Sequence, residues 1–146
     1  RFSLISSSPE KEVVFKWDEA LNFERNSGPA IQYSHARACS ILRKADENSI
    51  KYTPEVFEED EEYQLIKKIA KFPQALESAG RQHQPHLLAT YASELALLFN
   101  KFYEVAPVLQ ADDEELKKAR LDLVKCTKTV LKNSLTLLGI KAPKKM

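Results

Sequence analysis

From Leu116 to Leu138 the chain repeats apolar residues at helical spacing along two stripes at once. Leu116, Ala119, Leu123, Cys126, Val130 and Leu137 follow one face, and Leu121, Val124, Leu131, Leu135 and Leu138 a second. A helix with two apolar stripes has to be packed on two sides. Its remaining face carries Lys118, Lys125, Lys128 and Lys132 at spacings of seven, three and four. Asp112 followed by Glu115 resembles a capping box with Asp in place of Ser or Thr. Gly139 stands where a left-handed helix stop belongs, and Pro143 prevents the helix from resuming.

The same periodicity predicts further helices upstream. Asn26-Ser27-Gly28-Pro29 reads as a turn and helix start, with Pro29 at the first helical position. The helix that follows, to about Asp46, has a stripe of Ile31, Ala38, Leu42 and Ala45 with His35 on it. Tyr33, Arg37, Ser40 and Lys44 fall on a different face, aromatic and basic. A helix around Glu61 to Phe72 buries Leu65, Ile66 and Ile69, and a short one runs from Pro73 to near Gly80. Pro85 starts the next, with Leu88, Ala92, Leu95, Phe99 and Phe102 as its core stripe. Residues 1–26 are irregular: Val13 to Trp17 reads as extended, and Asp18 as the cap of a brief helix through Phe23. The fold class is all-α, a helical bundle without internal repeats.

Composition narrows the function. The chain has three glycines in 146 residues, Gly28, Gly80 and Gly139, no two within fifty residues of each other. Dinucleotide fingerprints and P-loops need glycines a few residues apart, so no standard nucleotide loop is present. The longest apolar run, Leu95 to Phe99, falls far short of the ~18 residues of a membrane helix. Residue 1 is Arg, and nothing near it resembles a signal peptide, so a piece cut from a longer chain is expected. Cys39 and Cys126 are too few and too distant for a disulfide framework or zinc cluster. Both fall in apolar helical patterns and are expected as buried free thiols in a reducing, cytoplasmic setting.

The net charge of +1 hides an asymmetry. Residues 117–146 carry nine basic residues against one acid, Asp122, whereas the first 116 carry 13 basic and 20 acidic. Such a split suggests a polyanion partner for the basic segment, although lysines that merely solvate a helix face would look the same. The acids at Glu55, Glu58, Glu59, Asp60, Glu61 and Glu62 are expected as a solvated loop and first helical turn.

No catalytic constellation is visible. His83 and His86 have H-x-x-H spacing without further ligands, so a polar loop is the simpler reading. His35 lacks a partner placed by sequence and is expected as a core histidine with a satisfied hydrogen bond. Tyr33 and Tyr103 resist a core assignment: the first lies on a basic face, and the second follows the last core aromatic, Phe102. Exposed tyrosines beside cations suit single-stranded RNA, whose bases stack on rings while cations hold phosphates. Half-buried rim tyrosines would give the same spacing.

Specific strings decide further. Asn26 to Arg37, reading NSGPAIQYSHAR, followed by Ser40-Ile41-Leu42-Arg43-Lys44-Ala45, closely resembles a signature of arginyl-tRNA synthetases. So does the ending from Leu137 to Met146, LLGIKAPKKM. Ala119-Arg120-Leu121-Asp122-Leu123-Val124 is similar to the helix motif that names the family's α-helical, DALR-type anticodon-binding domain, and Phe99-Asn100-Lys101-Phe102-Tyr103 also resembles the family. Ala30 stands where many members carry a second aromatic, some carry one near Pro107, and Ser134 takes a place often held by glycine.

The resemblance implies residues 1–26 as the end of the catalytic region and linker, and 27–146 as the anticodon-binding domain. It implies arginine tRNA as partner, with no membrane and no DNA, and a contact with the upstream catalytic domain. The class I motifs, and with them ATP and Mg, would belong to the parent enzyme; neither catalytic motif occurs here. Tyr33, Tyr103 and Met146 would receive unstacked loop bases, with Arg37 and Lys44 supporting that face. Lys118, Lys125, Lys128, Lys132, Lys144 and Lys145 would neutralise phosphates. Beside this stand a helical protein-interaction module without an RNA role and, more remotely, an enzyme using His35.

Overall fold

Proline and serine set the helix starts. In a computed structural model, which describes residues 1–8, 12, 14, 16–20, 27–45, 56–111 and 113–146, Ser27 Oγ accepts from Ala30 N at 3.1 Å and caps the helix α3 (Gly28–Ala45). Pro29 therefore takes the second helical position, and Asp46 lies outside the described residues. Two short helices precede it, α1 (Phe2–Ile5) and α2 (Trp17–Ala20). Trp17 is thus helical rather than extended, and Asp18 sits inside the helix rather than capping it. Val13, Phe15 and Phe23 lie outside the described residues.

The remaining helices are α4 (Asp60–Ala70), α5 (Phe72–Arg81), α6 (Pro85–Val105) and α7 (Glu114–Leu137). No strand occurs among the described residues, and none of their helices is long and apolar enough to cross a membrane. The expected Asp112 cap shifts by one residue. Asp113 caps α7, its Oδ1 accepting from Glu115 N at 2.6 Å and Leu116 N at 3.1 Å, while Asp112 lies outside the described residues. Residues 82–84 turn between α5 and α6, with His83 exposed at φ 55°; no group of three metal-ligating side chains occurs among the described residues.

Helix α6 is the axis of the bundle. Leu88, Ala92, Leu95, Phe99 and Phe102 are buried as its stripe predicts, and α3, α4, α5 and α7 all pack on it. Phe2 joins this core, its Cβ 3.1 Å from where a side chain at Gly28 would begin. Tyr91, also buried, donates to Lys68 O at 2.8 Å, and burial pushes its phenol up to about 12.

Helix α7 buries both stripes, with two exceptions. Cys126 and Leu137 are exposed, and the polar Thr127 and Ser134 are fully buried in the arc instead. Their hydroxyls donate to the carbonyls one turn back, Leu123 O at 2.8 Å and Val130 O at 2.9 Å, so burial leaves neither unsatisfied. Cys39 is half-buried rather than buried.

The acidic run departs most from a solvated surface. Glu62 and Arg120 are both buried, at 0% and 3% exposure, and Arg120 Nε donates to Glu62 Oε1 at 2.6 Å. Glu62 Oε2 accepts from Glu58 N and Glu59 N, each at 2.8 Å, while Arg120 Nη1 donates to Pro107 O at 3.1 Å. One ion pair ties the start of α4 and the α6–α7 connection to α7. Glu55 lies outside the described residues.

Candidate nucleic-acid interface

Three elements converge on one side of α3. Tyr33 and Arg37 are one turn apart, so Arg37 Nη2 donates to the Tyr33 hydroxyl at 3.1 Å and its guanidinium carbon lies 4.7 Å from the ring centroid. The same guanidinium stands 5.1 Å from the ring of Tyr103, at the end of α6. Asn100, one turn before Tyr103, accepts from Arg37 Nη1 at 3.0 Å and from Ser34 Oγ at 3.4 Å, which fixes Arg37 between the two rings. Both tyrosines are exposed, at 39% and 43%.

The third element is the tail. Helix α7 ends in a Schellman turn: Ile140 N donates to Leu135 O at 2.8 Å, Gly139 N to Thr136 O at 3.0 Å, and Gly139 has φ +66°. The chain then runs back along α3. Ile140 and Ala142 pack against the core, and the end of the tail joins Tyr33, Arg37 and Arg43 around an open cleft of about 390 Å³, with Lys145 and Met146 on its wall. Met146 is 59% exposed, a large apolar group left in water beside a tyrosine.

The cleft thus joins Tyr33, Arg37, Lys145 and Met146, with Tyr103 reached through Arg37. Lys44 and Lys144 are exposed, and the cleft lining does not include them. Arg43, which periodicity passed over in favour of Lys44, lines the cleft, three residues beyond Ser40. Lys118 and Lys128 are half-exposed and Lys125 and Lys132 exposed along α7. Lys128 and Lys132 lie close enough to His35 to act on it electrostatically, so that end of the lysine face adjoins the tail.

His35 is a core histidine with a satisfied hydrogen bond, 2% exposed and 2.8 Å through Nδ1 from Pro143 O. A carbonyl only accepts, so Nδ1 carries the proton and Nε2 is a bare acceptor. Cys39 Sγ lies 3.7 Å from it, one turn on, a neighbour that i, i+4 spacing could have supplied. Burial lowers the His35 pKa, the Pro143 bond opposes this, and Lys128 and Lys132 lower it further. A group that binds protons less readily folded than unfolded makes stability rise with pH. The His35 contribution is therefore complete above pH 6.5, its ordinary value, and lost progressively below it. Urea unfolding between pH 7.5 and 5 should show that fall, and His35→Asn should flatten it.

A family model described as DALR anticodon binding domain matches residues 31–146. The chain is similar, at 50% identity over its whole length, to an arginine–tRNA ligase of Methanosarcina barkeri, covering 26% of that protein. It is 49% identical to the arginine–tRNA ligase of Thermococcus sibiricus, of which it covers 24%. Among solved structures, Thermus thermophilus arginyl-tRNA synthetase superposes with a TM-score of 0.93 at 38% identity, over 99% of this chain and 25% of that one. The arginyl-tRNA synthetase of Plasmodium falciparum gives 0.84 at 31% identity, over 99% and 26%. The chain spans about a quarter of the length of the curated relatives it matches.

Proposed function

The chain belongs to the DALR anticodon binding domain family, and on that premise we propose that it binds the anticodon stem-loop of an arginine tRNA, as part of a cytoplasmic enzyme that attaches arginine to that tRNA. The observation that carries the reading is a fixed guanidinium, Arg37, flanked by two exposed tyrosines, one of which, Tyr33, lines a cleft together with Met146. Unpaired bases stack on such rings while cations hold the adjoining phosphates. We assign residues 27–146 to the anticodon-binding unit. We assign ATP and Mg²⁺ chemistry to the remainder of the longer protein.

Phosphate contacts position the RNA, and base contacts select it. Lys118, Lys125, Lys128 and Lys132 would supply the first kind from α7, with Lys144 and Lys145 from the tail. Each phosphate neutralised on a single strand steepens the dependence of log affinity on log salt by about 0.7. Lys125→Ala with Lys128→Ala, which removes two such contacts, is therefore expected to weaken stem-loop binding and flatten that slope by about 1.4. An unchanged slope would remove the α7 face from the interface.

A further inference from the structure

From Gly139 onward the chain has no helix to satisfy its backbone, yet four of its carbonyls accept from side chains. Arg1 Nη1 donates to Gly139 O at 2.6 Å, Gln32 Nε2 to Lys141 O at 2.7 Å, His35 Nδ1 to Pro143 O at 2.8 Å and Arg43 Nη1 to Lys144 O at 3.1 Å. Three of the donors lie on α3 in the order in which their acceptors follow along the tail. Such a ladder sets a register: a slip by one residue would leave the buried His35 without its acceptor and move Ile140 and Ala142 off the core.

We propose that Gln32, His35 and Arg43 are positioning residues that clasp the tail and thereby hold Met146 as a wall of the cleft. Of the three, Gln32 and His35 do not line the cleft, so they act on its contents only through the tail. The inference rests on the reading of the cleft as an anticodon-loop site, but its first test does not. His35 contributes the central bond because it is buried and its ring orientation is fixed from both sides, by Pro143 O and by Cys39 Sγ. Arg43 both holds the tail and lines the cleft, which couples the two.

The test compares His35→Leu, His35→Asn and Gln32→Leu on the full chain. Asparagine keeps an N–H donor near the position of Nδ1, and leucine removes it. Trypsin cleavage after Lys141, followed as loss of residues 142–146 by intact mass, is expected to accelerate at least fivefold in His35→Leu and Gln32→Leu and to stay unchanged in His35→Asn. Should His35→Leu fail to fold, Gln32→Leu decides. Equal cleavage rates in wild type and Gln32→Leu would overturn the clasp. The second readout is affinity for an anticodon stem-loop RNA in a cycle with Met146→Ala. Both Met146→Ala and Gln32→Leu should weaken binding several-fold, and the double variant no more than Met146→Ala alone. Multiplying effects would show that Gln32 does not act through Met146. A cleft that takes no RNA would reveal itself in an unaffected Tyr33→Ala variant, and the trypsin rates would still decide the clasp.

Discussion

Replacing Arg120 by methionine is expected to remove about 3–5 kcal/mol of stability, because it strands a buried carboxylate. Glu62 has no access to water to compensate, being 0% exposed. Domains of this kind hold only about 5–15 kcal/mol in total, so the variant approaches the unfolding threshold. At roughly 2–4 °C per kcal/mol for a chain of this size, its melting temperature falls by about 6–20 °C. Methionine keeps the apolar stem of arginine, so the loss comes mainly from the missing guanidinium and its hydrogen bonds.

Glu62→Leu should be as damaging, since it also strands the amides of Glu58 and Glu59. The double variant should lose clearly less than the two single losses combined, because neither partner is then left buried alone. Urea unfolding of all four proteins measures this. Additive losses would mean that the two side chains do not depend on each other. The string from Ala119 to Val124, similar to the motif that names the family, therefore has at Arg120 a structural explanation: Arg120 secures the start of α4 and the residues before α7 rather than offering a cation to a ligand.

Tyr33→Ala is expected to weaken binding of an anticodon stem-loop by about 1–3 kcal/mol, roughly five- to 150-fold, with no change in melting temperature. A ring 39% exposed beside a guanidinium contributes little to the core but offers a full face to a base. Tyr103→Ala should behave alike. Tyr33→Phe separates the ring from its hydroxyl: Arg37 Nη2 loses its acceptor while Arg37 Nη1 keeps Asn100, and the variant should bind within a few-fold of wild type. If Tyr33→Phe weakens binding as much as Tyr33→Ala, the hydroxyl rather than stacking holds the RNA. Loss of cooperative melting in Tyr33→Ala would place the residue in the core.

The five long helices were legible because each is amphipathic and its ends carry local signals, as Ser27, Pro85 and Gly139 do within a turn of where they stand. The four-residue α1, in a stretch read as irregular, is too short for a periodicity to show. Misreadings came where residue type and burial part company. Thr127 and Ser134 enter the core because a hydroxyl can bond back to its own helix, which leaves Cys126 and Leu137 at the rim. Glu62 looked solvated among its acidic neighbours because its partner lies 58 positions away. For the site, the i, i+4 pairing of Tyr33 with Arg37 is local and was visible in spacing. The part built by the tail was not, since Gln32, His35 and Arg43 meet carbonyls more than a hundred residues on.

Whether this chain reads an anticodon loop is decided by one comparison of two transcripts. Binding of a transcribed arginine tRNA is measured at a single fixed salt concentration against the same tRNA with its three anticodon bases replaced. Both transcripts are expected to bind, because phosphate contacts are shared, and the arginine anticodon to bind at least tenfold more tightly. Equal affinity for the two would contradict such reading, leaving Tyr103 and the cleft of Tyr33 and Met146 without a role in selection.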